Sequence, residues 1–236
     1  MPEPALNLDV SDPAHHARAP IPRALDLLIA EWRERGEPEQ RAIAWPRDRW
    51  IAAFPAHRAC FDELPAELNR RVVRASVLDA LARGDALAAF LPVMAWGYGR
   101  VGYGPHRVEQ MLEPGEHVAA RKLAEVASFS QRGDPVEAYR LLGGPCRLDQ
   151  LGPAFGTKFL YFVGGGALIL DRLVADGLER VASVTISPTR WDDVAYARYL
   201  DVVAVWADGL GVAPDVVEQV LFTAESTRTG NQWGEE

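Results

Sequence analysis

Apolar residues in this chain recur at intervals of three and four and almost nowhere alternate with polar ones. That period lays apolar stripes along helices, which must then pack on one another; it does not build a half-buried sheet. From Pro22 onward, Leu25, Leu28, Ile29 and Trp32 keep the helical spacing until Gly36 and Pro38 break it. Further helices are expected over 47–60 and 66–82, the latter with Leu68, Val72, Ala75 and Leu78 as its apolar face and Gly84 as its stop. The run 85–95 reads as a buried helix with a kink or boundary at Pro92. After it WGYGRVGYGP, with four glycines and a proline, reads as a loop and not as regular helix. Helical spacing resumes in HRVEQML and returns over 116–131 and 134–142, where Asp134 is the N-cap and Pro135 the first helical residue. Helices follow over 171–178, 191–210 and 214–223. The best strand candidate is VASVTIS (181–187), for which a loop reads nearly as well. The fold class is all-α, or nearly so.

Composition narrows the class further. With 236 residues, 48% hydrophobic and 25% charged, the chain is long enough for one decorated globular unit. A loose arm is expected over 1–20 and a single helical domain over 21–236. Cys60 and Cys146 are too few for a disulfide framework, a four-thiolate zinc site or a four-cysteine iron–sulfur cluster. The histidines (15, 16, 57, 106 and 117) show no ligand spacing, so neither a metal nor another cofactor is implied. No apolar run is long enough for a membrane helix, and the N-terminus lacks the basic start and apolar stretch of a secretory signal; a soluble, cytoplasmic monomer is expected. The net charge of −8 is unevenly spread. Nine acids and two bases fall in 192–236, a net of −7, which leaves −1 for residues 1–191. An acidic C-terminal end therefore sits on a nearly neutral body, and DNA binding is neither excluded nor supported by a basic footprint.

One segment carries chemistry: GPAFGTKFLYFVGGGALILDRLVADGL, residues 152–178. Residues 152–156 read as a tight turn between helices, with small residues where a backbone must approach something closely. Thr157 and Lys158 begin a very apolar helix, which Gly164, Gly165 and Gly166 end, and Asp171 stands as the N-cap of the next one. A helix N-terminus and an apolar wall both disfavour an ammonium ion, so the free amine that nucleophilic catalysis requires is expected at Lys158. Asp171, thirteen residues later and after a reversal of the chain, can return to the same cleft. A nucleophilic amine with a carboxylate helper is the minimal equipment for attack on an electrophilic carbon. The aromatics Tyr161, Phe162, Trp191, Tyr196, Tyr199 and Trp206 read as core.

This segment resembles the helix-hairpin-helix signature of DNA glycosylases, whose hairpin reads roughly Leu-Pro-Gly-Val-Gly-Thr-Lys in the 8-oxoguanine branch. Aligned on the lysine, the chain keeps Pro153, Gly156, Thr157 and Lys158, with Gly152 for the leucine, Ala154 for the first glycine and the bulkier Phe155 for the valine. The glycine loop 164–166 and the capping Asp171 occupy the family's loop and invariant aspartate, although the loop is shorter and lacks the usual proline before the acid. The whole is most similar to divergent bacterial single-module proteins of the 8-oxoguanine DNA glycosylase fold, and the cysteine count places it outside the cluster-bearing branch. The resemblance implies a two-lobed helical fold with a cleft between the lobes, and double-stranded DNA with a damaged or modified base as the partner. It also assigns roles. Backbone N–H groups at Gly152, Ala154, Gly156 and Thr157 would bind DNA phosphates. Lys158 would attack C1′ of a flipped nucleotide, Asp171 would assist, and strand cleavage at the abasic (AP) site could follow. Trp96, Tyr98 and Tyr103 in the glycine-rich loop would stack on the extruded base.

Other readings share the same residues. A glycosylase of this fold could act on modified phage DNA in defence. A non-catalytic module could keep the hairpin for DNA binding alone, and an adaptor could use the acidic C-terminal face. The glycine-rich 96–105 segment has no preceding strand and no following Lys-Ser/Thr, which argues against a nucleotide loop, and no Gly-x-Ser-x-Gly elbow is present.

Overall fold

The computed structural model describes residues 19–230, and within them the chain is helical almost throughout. The elements are α1 (Arg23–Glu34), β1 (Ile43–Ala44), α2 (Arg47–Ala53), a 3-10 turn (Pro55–His57), α3 (Arg58–Asp62), β2 (Glu67–Leu68), α4 (Arg70–Ala82), α5 (Ala86–Tyr98) and α6 (Gly104–Leu112). They continue with α7 (Glu116–Gln131), α8 (Pro135–Gly143), α9 (Pro153–Val163), α10 (Arg172–Ala182), α11 (Asp193–Leu210) and α12 (Pro214–Thr229). The sole sheet among the described residues is one antiparallel pair, with Ile43 opposite Leu68. Most of the arm expected over 1–20, His15, His16, Glu235 and Glu236 lie outside the described residues.

The helices fall into two groups. In the first, α4 and α5 run along each other, α7 packs on α5 and α8, and α9 passes through the middle against all four. Nearly every side of α9 is buried, as an almost wholly apolar helix requires. Phe159 meets Phe90 edge-on at 5.5 Å, and Phe162 meets Trp96 at 5.0 Å. The second group is α10, α11 and α12, and α1 packs with them. Trp206 Nε1 on α11 donates to the Pro20 carbonyl at 3.1 Å, and Arg33 on α1 donates to the Leu210 carbonyl at 2.6 Å, so two contacts tie α1 and the residues before it to α11. The arrangement is two-lobed and all-α but for that short ladder.

Several local expectations need correction. Residues 96–98 of the glycine-rich stretch are helical: α5 continues through Pro92 and Gly97 to Tyr98, and the turn is confined to 99–103. Burial explains this, since all of α5 except Gly97 is buried, and that outweighs about 1 kcal/mol for a helical glycine and about 3 for the proline. In α4 the buried face is Val73, Val77 and Ala80; of the expected stripe Leu68, before the helix, is buried, Val72 is half-buried, Ala75 is exposed and Leu78 is 42% exposed. Residues 181–187 form no strand, because no neighbouring segment offers them a ladder; α10 runs to Ala182 and Ser183 ends it in the left-handed region (φ 54°). The expected 47–60 helix is broken at Phe54, where the chain turns through Pro55–His57. The last helix runs six residues further than expected, to Thr229.

Candidate active site

Where the lobes meet, α9 hands over to α10 through a strap, residues 164–171. Gly164, Gly165 and Gly166 all have positive φ (105°, 74° and 87°). At Gly165 an added Cβ would overlap the Ser130 carbonyl oxygen, so this residue has to be glycine for space as well as for conformation. Ser130 Oγ donates to the Gly164 carbonyl at 2.7 Å and holds the turn onto α7. The strap then runs between the lobes, pinned from α11: Tyr196 Oη donates to the Leu168 carbonyl at 2.9 Å and Tyr199 Oη to the Ile169 carbonyl at 2.7 Å. Burial pushes both of these phenols up, which keeps them as donors.

Thr157 fixes the strap from the other side. Its Oγ1 accepts the Leu170 N–H at 3.0 Å and donates to the Ala154 carbonyl at 3.1 Å. The residue that follows Leu170 is Asp171, and the one that follows Thr157 is Lys158. The clamp therefore sets their separation: Lys158 Nζ lies 2.9 Å from Asp171 Oδ2. The side chains are 5% and 13% exposed. Asp171 Oδ1 meanwhile accepts the Val174 N–H at 3.2 Å, capping α10. One carboxylate thus caps a helix of the second lobe with one oxygen and holds a lysine of the first lobe with the other.

This placement corrects the expected setting of the amine. Because α9 begins at Pro153, Lys158 sits in its second turn, beyond the reach of the helix N-terminus. Lys158 is held in an ion pair with Asp171, and its nitrogen has to leave that pair before it can attack. The Phe155 ring lies one helical turn before it, with Lys158 Nζ 5.5 Å over its centroid.

The early helix start also redraws the phosphate-binding set. Gly156 N–H donates to the Gly152 carbonyl at 2.9 Å, and Thr157 lies inside the helix, so neither offers a backbone N–H to a ligand. Gly156 is a packing glycine, where an added Cβ would strike the Trp191 ring. Gly152, extended at φ −86°, has open space around its Cα, and no side chain caps the helix start at Gly152, Ala154 and Phe155. The hairpin turn is therefore 144–152, joining α8 to α9. Bases gather around it: Lys122 Nζ donates to the Arg147 carbonyl at 2.7 Å, and Arg107 donates to Gln150 Oε1 at 2.6 Å. The three aromatics expected at a base pocket separate. Trp96 is 1% exposed and buried against Phe162 and the Arg70 guanidinium. Tyr98 is buried and stacks on Phe155 at 4.3 Å, and burial pushes its phenol up to about 12. Tyr103, 57% exposed, meets Tyr98 edge-on at 5.9 Å.

Sequence reading missed a second buried pair behind the first. Arg70 at the start of α4 binds Glu218 on α12 through two hydrogen bonds, at 2.6 and 3.0 Å, and its Nε donates to Gln40 Oε1 at 2.7 Å. The guanidinium also lies 4.9 Å over the Tyr161 ring, whose hydroxyl donates to Asp215 at 3.3 Å. Glu218 is wholly buried; burial raises its pKa, the Arg70 charge opposes that rise, and Asp171 and Lys158 act on it through space. A readable signal existed, since Glu218 shares a helix face with the buried Leu221, Phe222 and Glu225.

Among the described residues no group of three or more His, Cys, Asp or Glu could hold a metal ion, and no helix is long and apolar enough to cross a membrane. A helical two-lobed fold with a hairpin at the seam is consistent with a helix-hairpin-helix fold. The chain matches the family described as "Putative 8-oxoguanine DNA glycosylase OGG-like protein" over residues 36–222 and belongs to that family. Membership brings a DNA-glycosylase type of activity in general. Neither the curated proteins nor the solved structures yielded a match.

Proposed function

We propose that this protein is a DNA glycosylase with AP lyase activity, which removes an oxidised, 8-oxoguanine-like or otherwise modified base through Lys158 and Asp171. One observation carries the reading: a nearly buried lysine of one lobe is paired at 2.9 Å with the helix-capping aspartate of the other, directly beside the hairpin. When a nucleotide enters, Asp171 takes a proton from the Lys158 ammonium, leaving an amine and a carboxylic acid. The amine bonds to C1′ as the glycosidic bond breaks, and the base leaves with the bonding electrons and takes the proton from Asp171. Transfer of a nitrogen proton to the ring oxygen opens the sugar and leaves an iminium on Lys158. Asp171, again a carboxylate, then takes a proton from C2′, and the 3′ phosphate leaves with the C3′–O bonding electrons. Divergent bacterial ancestry within the family, a monomeric state and a cytoplasmic setting belong to the same proposal, and action on modified phage DNA in defence is its alternative.

The partner is double-stranded DNA, engaged through the open helix start at Gly152 and Ala154 and the bases around the hairpin turn. Borohydride with DNA containing 8-oxoguanine tests the reading: a covalent adduct is expected from the native protein and none from Lys158→Gln. An adduct that survives this substitution would remove Lys158 from the mechanism. A second reading, a non-catalytic hairpin module, is favoured by the closed state of the amine. It predicts duplex binding at low salt with no base released from a panel of modified DNAs.

A further inference from the structure

Phe155 is half-buried among buried neighbours, and its ring lies beside the Lys158 amine. Tyr98 stacks on it at 4.3 Å with an interplanar angle of 28°, and exposed Tyr103 meets Tyr98 edge-on. A column of three rings thus runs from solvent to the amine. Its inner end is kept in place by a missing side chain: a Cβ on Gly97 would lie 2.7 Å from Phe155 Cε1 and 3.4 Å from Lys158 Cδ. The rings beyond this column are committed elsewhere, with Trp96 and Phe162 packed on each other in the core and Phe159 on Phe90.

We propose that Phe155, backed by Tyr98 and admitted by Gly97, is the aromatic wall that receives the extruded base, and so a specificity-determining residue for base-bearing nucleotides. The inference rests on the reading of Lys158 as the nucleophile. An amine that bonds to C1′ places the base attached to that carbon within a ring's width of itself, and Phe155 is the ring at that distance. A base taken out of a duplex loses its stacking, and an aromatic face restores part of that loss in a way that depends on the base being present. An AP site has no base to stack. The wall therefore acts on excision and leaves the later chemistry at C1′ alone.

The experiment compares two substrates of equal length, one with 8-oxoguanine and one with an AP site, using the native protein, Phe155→Leu, Phe155→Trp, Gly97→Ala and Lys158→Gln. Phe155→Leu should lower kcat/KM for base release by roughly 5- to 100-fold, the range for one lost base–aromatic stack, while borohydride trapping on the AP site stays within about twofold. Phe155→Trp should keep base release near the native rate. Gly97→Ala, which displaces the ring without removing it, should reproduce the selective loss. If Phe155→Leu leaves base release unchanged, or lowers excision and AP-site trapping together, Phe155 is not the wall, although Lys158 stands. If the native protein traps on neither substrate, or Lys158→Gln still traps, the reading of the nucleophile fails and the wall falls with it.

Discussion

Asp171 divides its oxygens between two tasks, and substitution can separate them. Asparagine caps a helix about as well as aspartate, so Asp171→Asn should lose the ion pair but keep the cap, and Asp171→Ala, which loses both, should be about 1 kcal/mol less stable than Asp171→Asn. Both remove the carboxylate that takes the lysine proton in the proposed mechanism, and both should lower base release by about 100-fold or more. A fall in activity with alanine only would make Asp171 a cap and nothing else; single-turnover excision beside urea unfolding checks this. Legibility at this scale was uneven. Lys158 and Asp171 could be found because a lone lysine interrupts an apolar run and a lone acid precedes the next helix. Gly156 and Thr157 were misassigned because Pro153 can open a helix as well as a turn. The clamp made by the Thr157 hydroxyl depends on a chain reversal that no local pattern announces.

Among the elements, the strap decides how the site is held. Thr157→Val removes the oxygen that accepts the Leu170 N–H, leaving a buried donor unpaired, and should destabilise the protein by about 1–3 kcal/mol. A valine variant with native urea stability would show that the clamp does not hold the strap. Gly165→Ala meets both a left-handed φ and the Ser130 carbonyl, and should cost about 3 kcal/mol or more, read as a lowered thermal midpoint or loss of folded yield. The packing of α10 on α12 carries a pH dependence. Burial works against the Glu225 charge, yet hydrogen bonds from Arg180 and Arg228 outweigh it and hold the carboxyl below its usual 4.5. A depressed carboxyl stabilises the fold above its unfolded pKa and ceases to do so as pH falls through the folded one. Glu225→Gln should therefore flatten the loss of stability on acidification below about pH 4.5, measured as unfolding free energy between pH 6 and pH 3. Element type was readable where caps and period agree, as at Asp134 with Pro135 and at Asp171 before α10. It was misread at 96–98, where glycine content argued for a loop but burial on all sides kept the helix going.

For the whole molecule, the lobes meet across two buried ion pairs, Lys158 with Asp171 and Arg70 with Glu218. Removing one partner of the second strands a charge in the interior. Arg70→Met should cost about 3–5 kcal/mol, and adding Glu218→Gln should recover part of that. Equal and additive losses in the double-mutant cycle would mean that the pair is uncoupled. The helical class could be read from periodicity alone. The grouping of helices could not, because what joins α1 to α10, α11 and α12 is contact between distant parts of the chain. Because the lysine's resting partner belongs to the opposite lobe, occupying its nitrogen and loosening the seam are one thermodynamic event seen from two sides. Covalent capture of that nitrogen cuts a tie between the halves, and by reciprocity any strain that parts the halves, such as a bent duplex straddling them, makes the nitrogen easier to reach.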